Sequence, residues 1–115
     1  MRLKSAIWVA AYVRRCSVEG IPVAVMRRGA EEAGAIFIIV NRLDGTVDVY
    51  GPAPQTAFDE AGPAERLWMR AVGEGPVPEA DATAFIARQH RFDPDIWVVE
   101  IEDRSGRHLL EPVVS

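Results

Sequence analysis

Near its C-terminal end, the chain carries residue types that bind metal ions, in and beside the stretch RFDPDIWVVEIED (residues 91–103). His90, Asp93 and Asp95 lie close together in sequence, and imidazole and carboxylate groups are common ligands of divalent cations. His108 is the only other histidine. In the C-terminal hairpin predicted below, it lies roughly 20 Å along the strands from Asp95, too far to complete a site. The sequence therefore predicts no metal site and no other cofactor.

A structural interpretation also accounts for the two aspartates. A residue before proline adopts extended backbone, and an aspartate in a turn accepts backbone N–H bonds, so Asp93 should end a helix and lead into a strand. Asp95 and Trp97 are two positions apart and so face the same side of a strand. This would place Asp95 at the rim of the core, with Arg91 as its nearest basic partner in sequence. We expect the aspartates to be paired in this way, with no catalytic role.

The loop of residues 51–62 is a candidate binding site because it is longer than most connections. Polar and aromatic side chains on such a loop suit a partner interface. These side chains are Gln55, Thr56 and Phe58. Alternatively, the protein is a small enzyme or ligand-binding protein whose site lies between this loop and the acidic stretch of residues 91–103. The residues that the acidic stretch would contribute to this site are Arg91, Asp93 and Asp95.

Arginines near the N-terminus are a weaker candidate, for an anion or a nucleic acid. Basic residues outnumber acidic ones six to one in residues 1–28, although the chain has a net charge of -4. An acidic protein repels phosphate backbones at long range, so nucleic acid is disfavoured as a partner. The side chains concerned are Arg14 and Arg15, with Arg27 and Arg28 as neighbours if the first helix packs on the first strand.

Nucleophilic catalysis has little support in the sequence. Cys16 is the only cysteine, and on the apolar face of a helix it should be buried with a raised pKa. No serine stands in a G-x-S-x-G pattern, and no Walker or G-x-G-x-x-G motif occurs. A single cysteine also excludes an intrachain disulfide, which favours a reducing, cytoplasmic location. The apolar run AIWVAAYV is too short to span a membrane.

Periodicity and turn signals predict one α+β domain over residues 1–115. Residues 5–19 should form a helix that ends at Gly20. Three strand signals follow and predict an antiparallel meander whose middle strand is covered on both faces. The strands are expected at residues 22–28, 35–41 and 46–50.

The second half of the chain predicts two helices and a C-terminal hairpin. The helices are expected at about residues 63–72 and 78–91. Residues 95–102 alternate, with Trp97, Val99 and Ile101 on one face and the two glutamates on the other. A turn at residues 103–106 would pair Glu102 with Arg107 and Ile101 with His108. The helices would pack on the single sheet that these strands complete.

Four stretches of the sequence resemble a known family. They are MRLKSAIWVAAYVRRC, RRGAEEAGAIFIIV, PAPQTAFDE and RFDPDIWVVEIED. Together they resemble a family of short, uncharacterised proteobacterial proteins that is classed as a domain of unknown function, and the match covers nearly the whole chain. The resemblance implies a cytoplasmic, stand-alone bacterial domain and assigns no catalytic or ligand-binding residue to any position here.

The function that the sequence favours is a non-enzymatic binding or adaptor module. Its expected partner is another protein or a second copy of the chain, because no catalytic constellation is evident and the edges of a sheet need to be covered.

Overall fold

The computed structural model describes residues 2–54 and 66–114, and within them two helices pack on opposite faces of one six-stranded mixed sheet. The helices are α1 (Ser5–Val18) and α2 (Glu79–Phe92). The strands are β1 (Val23–Arg27), β2 (Ile36–Asn41), β3 (Thr46–Pro52), β4 (Trp68–Arg70), β5 (Val77–Pro78) and β6 (Trp97–Glu102). Their order is β1-β6-β2-β3-β4, with β5 paired to β3. The predicted α+β class is confirmed.

Side-chain alternation along the strands divides the core into two layers. Along β2, Ile36 and Ile38 pack in the α1 layer, whereas Phe37 and Ile39 pack in the α2 layer. The central strand is thus covered on both faces, as its continuous apolar run predicts. The alternation predicted for β6 is also confirmed, since Trp97, Val99 and Ile101 all lie in the α1 layer.

The predicted meander is confirmed for its second pair of strands, since β2 and β3 pair antiparallel. It is wrong for its first pair, because β6 lies between β1 and β2, antiparallel to the first and parallel to the second. The connection between β1 and β2 wraps around the start of β6. Ala30 donates its backbone N–H to the Asp95 carbonyl at 2.9 Å, and Trp97 Nε1 donates to the Ala30 carbonyl at 2.8 Å. Gly29 and Gly34 approach the Asp95 carbonyl so closely that a Cβ on either would overlap it. The glycine-flanked stretch GAEEAG therefore packs against the start of β6. Its composition is typical of a turn, which is why a hairpin between β1 and β2 is predicted from the sequence.

The helix predicted at residues 63–72 is wrong in the part that the structure describes, since Trp68–Arg70 forms strand β4. Pro52 pairs with Trp68 and Tyr50 with Arg70 in an antiparallel register. The Trp68 ring packs against Trp8 of α1, with centroids 4.9 Å apart. This contact and the pairing with β3 join residues far apart in the sequence, so local helix propensity is overridden.

The predicted C-terminal hairpin is also wrong, because β1 and β2 occupy both sides of β6. Arg107 pairs with the carboxylate of Asp103 at 2.9 Å instead of facing Glu102. The chain then continues to the far edge of the sheet, where Val114 donates its backbone N–H to the Trp68 carbonyl at 2.7 Å. The C-terminal segment (residues 107–114) thereby covers the outer edge of β4.

The two helices expected at residues 5–19 and 78–91 are confirmed as α1 and α2. The first turn of α1 is capped by backbone carbonyls, since Ser5 and Ala6 donate their N–H groups to Glu32 and Glu31 at 3.0 and 2.9 Å. Among the described residues, neither helix combines the length and the apolar character that crossing a membrane requires.

Candidate ligand-binding cleft

The acidic stretch that follows α2 acts as a turn. The Oδ1 atom of Asp93 accepts the backbone N–H of Asp95 at 3.0 Å, which is the arrangement expected of an aspartate that redirects the chain. Arg91 and Asp95 are both exposed, and the expected ion pair between them is absent from the ion pairs of the described residues. The anchor at this position is the Asp95 backbone carbonyl, which binds Ala30.

Three of the predicted binding residues, Gln55, Thr56 and Phe58, lie outside the described residues. Their role as a partner interface stays a prediction. The cleft described below is lined by neither Arg91 nor the two aspartates, so the described residues do not bring the acidic stretch into it.

The N-terminal arginines do not converge on one contact. Arg15 reaches a carbonyl of the C-terminal segment at 3.4 Å. The Nη1 atom of Arg27 lies 3.0 Å from the Nε2 atom of His90. His90 belongs to α2, which packs on the other side of the sheet from α1. The Arg28 guanidinium stacks 5.2 Å from the centre of the Trp97 ring. Each of these cations therefore has its own neighbour, and Arg14 is exposed on α1.

Within residues 2–54 and 66–114, no three potential metal ligands of the His, Cys, Asp and Glu types lie close together. Cys16 is fully buried in the α1 layer, and burial raises the pKa of its thiol, as expected. A buried thiol with a raised pKa behaves as a small apolar side chain and is a poor nucleophile.

A buried ion-pair cluster on the α1 face of β3 was missed by sequence reasoning. Asp48 has no exposed surface, and its two carboxylate oxygens accept from Arg42 Nε at 2.8 Å and from Arg70 Nη1 at 2.5 Å. Arg70 also lies over the Tyr50 ring, which in turn contacts the His108 ring with centroids 4.9 Å apart. Because an arginine occupies each oxygen of Asp48, this cluster joins β3, β4 and the turn before β3 and serves a structural purpose.

A cleft of about 490 Å³ opens between the start of α1 and the start of β4. Apolar side chains that the fold almost completely buries contribute to its walls. These are Ile36, Leu67 and Trp68. Charged side chains also line it. They are Arg2, Lys4, Glu32 and Arg66. A concave, largely apolar site with a few charged groups is the usual form of a small-ligand pocket.

Arg66 is the most constrained of these cations. Its Nη2 group donates to the Leu3 carbonyl at 2.9 Å and to Ser5 Oγ at 3.3 Å, and Ser5 Oγ itself donates to the Gly34 carbonyl at 2.6 Å. Its Nε atom is buried and has no hydrogen-bond partner among the described residues. Burial lowers the pKa of the Arg66 guanidinium, and the charge of Arg2 lowers that pKa further. The cleft thus holds a positive charge that is partly stripped of water and lies near a second one.

The charges around the cleft are unbalanced in the described lining. Glu32 is its one carboxylate, and it pairs with Lys4 at 3.6 Å at the exposed rim. This pair leaves Arg2 and Arg66 as two cations for which the described lining offers no acidic partner. Their net positive charge contrasts with the net charge of -4 of the whole chain.

No local sequence pattern groups these residues. Arg2 and Lys4 both precede the apolar run of α1, whereas Arg66 lies inside residues 63–72, for which a helix is predicted. Arg66 is 63 positions from Leu3 in sequence, so only the tertiary fold brings them together. Trp68 and Arg70 are two positions apart and both face the α1 layer. This spacing of two is the one local signal that β4 is a strand.

Solved structures of bacterial proteins are similar to the chain over its full length. A crystal structure of a DUF1491 family protein from Caulobacter crescentus is 44% identical, with a TM-score of 0.80 and 100% coverage of both chains. An NMR structure of a DUF1491 family protein from the same bacterium has a TM-score of 0.79 and 44% identity, covering 100% of this chain and 99% of that one. The solution structure of protein Atu0922 from A. tumefaciens is 38% identical, with a TM-score of 0.76 and coverage of 99% and 100%.

More distant similarity links the chain to UPF0182 proteins of two species, Frankia alni and Frankia casuarinae. The identities are 28% and 27% over 86 residues. These matches cover 74% of this chain but only 8% of each relative, so the chain spans less than a tenth of the length of the curated relatives it matches.

Residues 3–111 match the family described as "Protein of unknown function (DUF1491)". This match and the structural neighbours from Caulobacter and Agrobacterium confirm the resemblance to a proteobacterial family of unknown function. The chain therefore belongs to the DUF1491 family.

Proposed function

We propose that the protein is a non-catalytic binding module that holds a small ligand in the cleft between α1 and β4. The observation that carries this proposal is the partly desolvated Arg66 guanidinium, left without an acidic partner in the described lining of a concave, largely apolar site. The volume of about 490 Å³ lies within the range of typical ligand pockets.

The described lining supports binding over turnover. General acid or base catalysis needs a titratable group that is shielded from water, and the described lining offers only Glu32, whose side chain is 77% exposed and paired with Lys4. His108 and Cys16 lie elsewhere in the α1 layer and do not line the cleft. The cations of the cleft therefore have the character of anchoring groups.

The proposal is tested with 8-anilinonaphthalene-1-sulfonate as the probe, followed by amide chemical shifts of the ¹⁵N-labelled protein. We expect saturable binding that shifts the amides of Leu3, Ile36 and Trp68. Ala33→Trp should abolish these shifts, because Ala33 is exposed and lines the cleft. The matched control is Ala10→Trp, at an exposed position of α1 outside the lining, which should bind as the parent does. Shifts that avoid the cleft, or that survive Ala33→Trp, would contradict the proposal.

A second candidate function, the adaptor or self-association role, rests on the outer edge of β1. Four of its five residues are exposed, including Met26 at 62%, whereas the C-terminal segment covers the opposite edge of the sheet. A strand from another chain could pair with this edge. The bulge between Val25 and Arg27 shortens its regular stretch and makes the edge a weaker template. We therefore rank this function second.

Light scattering after size exclusion tests this second candidate. If a second copy pairs with β1, the mass should rise with concentration, and Met26→Lys should lower it without changing the thermal stability of the monomer. A constant monomer mass at high concentration would rule out self-association through this edge.

A further inference from the structure

We infer that the ligand of the cleft is an organic carboxylate: one anionic headgroup held by Arg66 and Arg2, on an apolar body that lies against the cleft walls. This inference rests on the proposed function and adds the chemical class of the ligand to it.

The negative charge of the ligand follows from the charges of the cleft. Arg66 and Arg2 repel each other, burial removes part of the hydration of Arg66, and the one carboxylate of the described lining is engaged by Lys4. A neutral or cationic ligand would remove more water from the two cations and give nothing in return. An anion offsets both costs, and a carboxylate matches the planar guanidinium geometrically.

The hydrogen bonds of Arg66 also favour an anionic ligand. Its Nη2 group is committed to Leu3 and Ser5, so the start of α1 holds the guanidinium in place. The buried Nε donor has no acceptor among the described residues, and buried donors are nearly always satisfied in folded proteins. A guanidinium that is fixed but incompletely paired is preorganised for an acceptor supplied from outside.

The apolar body of the ligand follows from the remaining lining. Leu3 is 51% exposed beside the cleft, and Ala33 and Pro52 are further exposed apolar residues of its lining. A small hydrophilic anion such as phosphate would satisfy the charges but leave this apolar surface wet. An amphiphilic molecule with one charged end covers both kinds of surface.

The test compares four probes by amide chemical-shift titration: octanoate, 1-octanol, octylamine and inorganic phosphate. Octanoate should bind and shift the amides of the cleft, with 1-octanol roughly tenfold weaker or worse because it lacks the charged acceptor. Octylamine and phosphate should cause no saturable shifts there. If 1-octanol binds as tightly as octanoate, the carboxylate inference is overturned while the proposed function stands. If phosphate binds as tightly as octanoate, the apolar body is overturned. If none of the four probes nor the sulfonate dye binds in the cleft, both proposals fail.

Variants separate the charge of the cleft from its shape. Arg66→Met should weaken octanoate binding about tenfold or more and leave 1-octanol binding unchanged. Because Arg66 also holds the start of α1, Arg2→Gln provides a second variant at an exposed position, with an expected loss of severalfold for octanoate alone. Arg14→Gln is the matched control, since it removes an exposed arginine of α1 that lies outside the cleft. Octanoate affinity that is unchanged in both Arg66→Met and Arg2→Gln, or lowered equally by Arg14→Gln, would overturn the inference.

Discussion

Replacing Asp48 by asparagine tests whether the buried ion-pair cluster holds the sheet together. The carboxylate has no exposed surface and accepts from two guanidinium groups, whose side chains are 24% and 27% exposed. Asparagine preserves the shape, removes the charge and turns an N–H group towards one of the arginines. The two cations then lose their acceptor while most of their surface stays out of water.

The expected loss of stability follows from these exposures. Removing one partner of a fully buried ion pair costs about 3 to 5 kcal/mol. Because about a quarter of each arginine side chain is still exposed, water compensates part of the loss. We therefore expect Asp48→Asn to lower the free energy of unfolding by about 3 kcal/mol, at the low end of that range.

The assay is urea unfolding at pH 7, followed by tryptophan fluorescence. With a slope of about 1 to 3 kcal/mol per M for a protein of this size, the midpoint should fall by roughly 1 to 3 M urea. The control is Glu102→Gln, which removes the same charge at an exposed position of β6 and should change stability by less than about 0.5 kcal/mol. If Asp48→Asn is no more destabilising than Glu102→Gln, the cluster does not hold β3 to β4 and the reasoning is refuted.

Three further predictions concern other parts of the fold. Burial lowers the pKa of His108, so the unfolded chain binds the proton more readily and stability should decline as the pH falls below about 6.5. His108→Asn keeps an acceptor for the backbone N–H that the imidazole binds, and it should remove this pH dependence in urea unfolding from pH 7 to 5. An unchanged dependence of stability on pH would contradict the prediction. Gly34→Ala should destabilise the protein by roughly 2 kcal/mol or more in thermal unfolding because its Cβ overlaps the Asp95 carbonyl, whereas Gly75→Ala has open space around its Cβ and is the control. Cys16 should react with a disulfide reagent only after unfolding in concentrated urea, because its thiol is fully buried with a raised pKa; rapid reaction of the native protein would contradict this.

Local pattern was sufficient to predict the parts of the fold that depend on neighbouring residues. The end of α1 near Gly20, the alternation along β6 and the double burial of β2 all follow from side chains within one element. The position of β6 does not, because it depends on the loop around Gly29 and Gly34 leaving room for a strand that lies more than 60 residues later. Turn-like composition predicts a change of direction, and it does not say whether the two flanking strands become neighbours.

The candidate site was beyond sequence reasoning for the same reason. Arg66 becomes part of the cleft only because β4 pairs with β3 and Leu3 lies within hydrogen-bond distance of its guanidinium. Alternation along β3 places Asp48 on the face opposite Val47 and Val49, but alternation alone does not predict that Asp48 is buried with two arginines. Charged residues that the fold buries are thus the features that the local sequence pattern predicted least well.

A crystal structure of the protein with saturating octanoate tests the binding account most directly. We predict that the alkyl chain occupies the cleft between α1 and β4, with the carboxylate within about 4 Å of the Arg66 or Arg2 guanidinium, the distance of an ion pair. An empty cleft under these conditions, or octanoate bound only at another surface, would contradict the account.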